Sequence, residues 1–149
     1  MGYCMDQRYA EFKIKPENMA GAIAAVKALD GKEAEHGAGG FSSCGGKTTL
    51  HYSWVDVGFS RGKTTLEALM GAWRWSLEVE RDDDGNEVSA FGIDFVGEKS
   101  GDDMVLFKAI APFVEPGSYI EMHGEDGYLW RFYFDGQTCV EQEGKVTFE

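Results

Sequence analysis

The stretch GAWRWSLEVERDDDGNEVSAFGIDFV, residues 71–96, decides the fold. Leading into it, Leu66, Leu69, Met70 and Trp73 recur at helical spacing and form one apolar stripe. At Trp75 the period falls to two. Trp75, Leu77 and Val79 then alternate with Ser76, Glu78 and Glu80, the pattern of a half-buried strand. Asp84-Gly85 is a two-residue hairpin signal, because both positions tolerate the positive φ that such turns need. Residues 88–96 return as the partner strand. A helix that runs into a hairpin, with no long crossover, predicts antiparallel pairing.

The same reading extends in both directions. Residues 9–15 alternate, with Ala10, Phe12 and Ile14 on one face. Pro16 suits the first position of a helix, and Glu17 suits the positive end of its dipole. Met19, Ala22, Ile23, Val26 and Leu29 make that helix's stripe, and Asp30-Gly31 ends it. Residues 50–57 read as a second strand, with Tyr52 and Trp54 sharing a face. Thr64 and Glu67 match a capping box ahead of the second helix. Asp102 and Asp103 open a third helix with Leu106, Phe107, Ile110 and Val114 inward. Pro112 must kink or shorten it, and Pro116-Gly117 closes it. A meander follows: 118–123, 128–134, and short pieces at 138–141 and 145–148. The predicted order is β-α-β-α-β-β-α-β-β-β. This is a single α+β domain over 1–149, with a mainly antiparallel sheet and about three helices on one face.

Composition fits that size. The chain has 149 residues, 43% of them hydrophobic, enough for one core without disulfides or metal. Three widely spaced cysteines, Cys4, Cys44 and Cys139, form no CxxC and no disulfide framework, so a reduced cytoplasmic setting is expected. No apolar run reaches membrane-spanning length. The first residues lack the basic start and apolar stretch of a signal peptide, and Asp6 stands where a myristoylation motif wants Ser or Thr. Residues 31–46, GKEAEHGAGGFSSCGG, hold six glycines and predict a mobile loop without a regular element.

Charge is distributed unevenly. The net charge is −12. Residues 1–74 carry nine basic and eight acidic side chains, whereas residues 75–149 carry five and eighteen. Phosphate repulsion makes direct nucleic-acid binding by the second half unfavourable. A basic protein is the partner that such a surface suits. Glu78, Glu80, Asp82, Asp83, Asp84, Asp102, Asp103, Glu121, Glu125 and Asp126 are the residues expected to build it.

Four motifs fail on spacing or context. GKTTL occurs at 46–50 and again at 62–66, but Gly40 is one residue too far and Gly58 one too close for a phosphate-binding loop. The run from Asp82 to Glu87 begins like a calcium loop, yet Glu87 stands where that loop needs glycine. Cys44 has His36 and His51 along the chain, but a glycine-rich loop is a poor platform for a nucleophile and its base. The HGED stretch offers His123, Glu125 and Asp126 as a weak acid–base site, without the P-C-x-x-C of a zinc deaminase. The pairs Tyr52/Trp54, Trp73/Trp75 and Tyr128/Trp130 suit either a stacking platform or core packing. No cofactor or metal is expected.

The segments SYIEMHGEDGYLWRFYFDG, GEKSGDDMVLFKAIAPFVEPG and SWVD with LEALMGAWRW resemble small uncharacterised proteins of bacterial and phage genomes. The resemblance covers most of the chain outside the glycine-rich stretch. It implies a mobile-element or accessory role and carries over no functional residue. The expected function is that of a non-catalytic, acidic interaction protein, such as an inhibitor or decoy. An enzyme using the HGED turn and an oligomeric assembly component are the alternatives.

Overall fold

The computed structural model describes residues 2–148, apart from the Cys44 side chain. Its elements in chain order are β1 (Met5–Glu11), α1 (Pro16–Lys27), β2 (Gly40–Cys44), β3 (Lys47–His51), α2 (Leu66–Ala72), β4 (Trp75–Arg81), β5 (Glu87–Phe95), α3 (Asp103–Ile110), β6 (Tyr119–Gly124), β7 (Leu129–Phe134) and β8 (Cys139–Glu143). A single 3-10 turn, Ala111–Phe113, carries Pro112 and ends α3. The fold is α+β with three helices and antiparallel sheets, and its order differs from the predicted one by a single added strand.

That strand is β2. Glycines at 39, 40, 45 and 46 do not prevent it, because Gly45 and Gly46 take positive φ and turn the chain tightly. Gly40–Cys44 then pairs with Lys47–His51 as a hairpin. The second strand consequently stops at His51. Tyr52 turns inward and donates its hydroxyl to the Leu29 carbonyl at 2.7 Å. Trp54 adopts a φ of 67° and points out, so the two do not share a strand face.

β1, β6, β7 and β8 form one sheet, and β4 and β5 form another. The two are joined along β1. Ile14 and Ala90 exchange both backbone hydrogen bonds at one end, and Cys4 bridges Lys99 at the other. Between these points the side-chain amide of Gln7 does the work of backbone. Its Nε2 donates to the Ile93 carbonyl, and its Oε1 accepts from the Phe95 N–H, both at 2.9 Å. The strands thus follow one another as β4-β5-β1-β6-β7-β8.

One side of this surface is buried. Phe12, Ile14, Trp75, Leu77, Ile93, Phe95, Ile120, Met122, Phe132 and Phe134 face Met19, Ala22 and Val26 of α1, Leu66, Leu69 and Met70 of α2, and Leu106, Phe107 and Ile110 of α3. Phe107 packs edge-on against Trp75 and Phe134, the offset geometry that aromatic quadrupoles favour. The helices therefore cover one face and leave the other to solvent.

Candidate functional site

The β4–β5 hairpin collects the densest negative charge. Residues 75–96 carry seven carboxylates against one cation, Arg81. Glu78 and Glu80 lie exposed on the strand face opposite Trp75 and Leu77. The connection is longer than a two-residue turn and spans residues 82–86. Asp82 shapes it by accepting the N–H groups of Asp84 and Asn86, at 3.0 and 2.9 Å. Those hydrogen bonds hold its carboxyl below the usual range, with the Asn86 amide contributing most. Asp83 and Asp84 remain exposed at the tip. Gly92 faces Glu78 across the ladder, leaving room for the Glu78 side chain to lie over it. The next residue back, Phe91, is the extra one of a β-bulge and stands 52% exposed amid the charge.

One carboxylate of this region and its single cation have other tasks. Glu87 accepts the Leu66 and Glu67 N–H groups at 2.7 and 2.8 Å, so it caps α2 from the neighbouring hairpin. Arg81 pairs with Glu67 and donates to the Gly85 carbonyl. Arg81 is therefore engaged, while Glu78, Glu80, Asp83 and Asp84 keep their charge facing water.

The remaining expected surface residues do not join this patch. Asp103 is 2% exposed and belongs to the interior. It accepts from Arg74 Nη2, Trp75 Nε1 and the Gly101 N–H at 2.9–3.0 Å, and it fixes the start of α3 to the α2–β4 junction. Asp102 accepts the Gly39 and Ser53 N–H groups and anchors the approach to β2. Glu121 lies mid-sheet between Arg8 and Arg131, which neutralise it. Glu125 and Asp126 sit at the β6–β7 turn beside Cys4, whereas the Asp82–Asp84 tip lies toward the Ile14 end of β1. Ten residue steps of nearly extended chain separate Cys4 from Ile14, roughly 30 Å. The expected broad surface is therefore one exposed hairpin, one buried aspartate beside a half-buried one, one neutralised residue and one distant turn.

The HGED candidate is also resolved into structural parts. His123 is exposed on the solvent face of β6, opposite Asp6 and Leu129. It makes no hydrogen bond to Glu125 or Asp126. Glu125 accepts the Cys4 N–H at 2.9 Å and donates its own N–H to the Cys4 carbonyl. Asp126 accepts the Tyr3 hydroxyl and the Tyr128 N–H. The hydrogen bond to Asp126 pushes the Tyr3 phenol up to about 12 and holds Asp126 low. These carboxylates clamp the first residues of the chain. Gly124 is required there, because a Cβ would collide with the Tyr3 hydroxyl.

The other motifs resolve on local grounds. The first GKTTL begins at the Gly45-Gly46 turn and continues as β3, while the second runs through a turn into the cap of α2. The cap residue is Thr65, one later than the capping box predicts, and its Oγ1 accepts the Ala68 N–H at 3.1 Å. Glu67 consequently cannot close the box and pairs with Arg81. No group of His, Cys, Asp and Glu among the described residues is arranged to hold a metal ion. Trp73 and Trp75 are fully buried, and Trp130 is buried under a stacked Tyr128, so these pairs pack the core and offer no platform. Burial pushes the Cys139 thiol up to about 12, which makes it inert. The Cys44 side chain, and so its reading as a nucleophile, lies outside the described residues. His51, near it along the chain, bonds Ser42 and the Tyr52 carbonyl. Among the described residues no helix is long and apolar enough to cross a membrane. No family model, curated protein or solved structure matches this chain.

Proposed function

We propose that this protein is an acidic interaction module that engages a basic protein through the β4–β5 hairpin, acting as an inhibitor or decoy in the cytoplasm. The supporting observation is the composition of that hairpin's free surface. Glu78, Glu80, Asp83 and Asp84 stand exposed, and Phe91 is exposed on the same hairpin beside Glu80. Unpaired carboxylates on a hairpin that also exposes an aromatic match what lysine- or arginine-rich segments bind. The charges steer the encounter, and the ring supplies desolvated contact with Arg or Lys stems. Its limit is set by Lys13 and Lys15, which line one groove together with Phe91 and Glu80. Edge-strand protection alone would explain the charges on β4, but it gives no reason for an exposed phenylalanine.

Capture from cells carrying the gene, with immobilised protein at low and high salt, tests this reading. The expected result is a basic protein retained at low salt, released by high salt, and lost when Asp83 and Asp84 become lysine. Retention that is indifferent to both salt and charge reversal would overturn it.

A further inference from the structure

We propose a second functional site, independent of the acidic hairpin: Ser42 and His51 form a nucleophile–base pair for hydrolysis of small apolar esters. The register of β2 and β3 places Gly40 opposite His51 and Ser42 opposite Thr49, so Ser42 and His51 are diagonal neighbours across the hairpin. The imidazole lies over Gly40. A Cβ at that glycine would come within 2.5 Å of the ring, so the absent side chain is what lets His51 lean across to Ser42. His51 Nδ1 is 2.8 Å from the Tyr52 carbonyl oxygen, and Nε2 is 2.8 Å from Ser42 Oγ. A carbonyl can only accept, so Nδ1 carries the hydrogen and the neutral ring presents the Nε2 lone pair to the serine hydroxyl. That tautomer is the one a general base needs. The group that sets it is rigid: Tyr52 is buried, hydrogen-bonded to Leu29 and packed on Trp73.

The pair opens on a cleft of about 460 Å³. Trp54, Val55 and Val57 give it an apolar wall, and Arg74 and Asp56 are its charged members. Trp54 is 49% exposed and holds a φ of 67°. A bulky residue in the left-handed region is strained, and such strain concentrates at functional sites. The indole N–H to the Ser100 carbonyl, at 3.1 Å, keeps the ring in this position.

Four proton transfers, two in acylation and two in deacylation, complete the reaction. As Ser42 Oγ attacks the ester carbonyl carbon, its proton passes to His51 Nε2. The tetrahedral adduct collapses, the bond to the alcohol oxygen breaks, and His51 returns the proton to the departing alkoxide. Water then attacks the acyl-serine, giving a proton to His51. Collapse releases the acid, and the proton returns to Ser42. The apolar wall suits the acyl portion of the ester.

A fluorophosphonate probe tests the pair on the full chain. Its phosphorus bonds to Oγ, fluoride leaves, and the serine proton goes to His51. The expected result is covalent label mapped to Ser42, absent in Ser42→Ala and unchanged in Ser43→Ala, the exposed neighbour. The labelling rate should fall on the order of 10²-fold or more in His51→Gln. It should also fall in Gly40→Val, which keeps the imidazole but displaces it, with circular dichroism confirming that both variants fold. No labelling of the wild-type chain, label on another residue, or an unchanged rate in His51→Gln would each overturn the proposal.

Discussion

Tyr52 shows how one side chain ties local structure to the core. Its hydroxyl donates to the Leu29 carbonyl, its ring packs on Trp73 and Phe59, and its carbonyl orients His51. Burial, reinforced by Glu33 and Asp102, pushes the phenol well above its ordinary value near 10. The folded state thus resists the phenolate that the unfolded chain forms freely. Stability from this residue is whole below about pH 10 and declines as pH rises beyond it. Tyr52→Phe should cost about 1–2 kcal/mol at neutral pH, because the Leu29 carbonyl loses its partner. It should also flatten the alkaline loss. Chemical denaturation from about pH 8 to about pH 11 measures both effects, and an unchanged alkaline slope would contradict this account. The sequence places Tyr52 and Trp54 on one strand because they keep period two, and no local pattern announces the positive φ at Trp54.

At the scale of elements, the cap of α2 and the seam between sheets carry the sharpest predictions. The pentapeptide GKTTL is a strand in one copy and a helix approach in the other. Local sequence cannot distinguish them, since the deciding partners are Gly45-Gly46 in the first case and Glu87, some twenty residues on, in the second. Thr65→Ala should cost about 1 kcal/mol and Glu87→Ala about 1–2 kcal/mol, with Thr64→Ala close to neutral. Thermal or urea unfolding of the three variants gives the order, and a larger cost at Thr64 would contradict the cap position. The seam depends on Gln7. Gln7→Leu keeps the volume but orphans the Ile93 carbonyl and the Phe95 N–H, with an expected cost of about 2 kcal/mol or more. Hydrogen exchange at Phe95 should rise with it. The helices and the hairpin at 71–96 were legible because periodicity and turn chemistry are local signals. A side chain replacing backbone between β1 and β5 leaves no such trace.

For the molecule as a whole, the charge asymmetry read from composition is real, but it does not translate into one surface. Net charge says nothing about which carboxylates face water. A helix start is normally exposed and the sequence places Asp103 on the surface, yet Arg74 and Trp75, distant in sequence, draw it inside. Glu125 and Asp126 looked like the same acidic surface as Asp82–Asp84, and the antiparallel path of β1 sets them at the other end of the sheet. Acidity in this chain therefore divides into water-facing carboxylates on the β4–β5 hairpin, for which we propose a binding role, and carboxylates with a structural role elsewhere. The direct measurement is a paired comparison of two variants, Asp83→Lys with Asp84→Lys, and Glu125→Gln with Asp126→Asn, each scored for thermal midpoint and for retention of the basic partner. The account predicts that the first keeps its midpoint and loses the partner, and that the second loses stability and keeps the partner at temperatures where it is folded. Equal retention by the first variant and the wild type, or loss of the partner by the folded second variant, would contradict it.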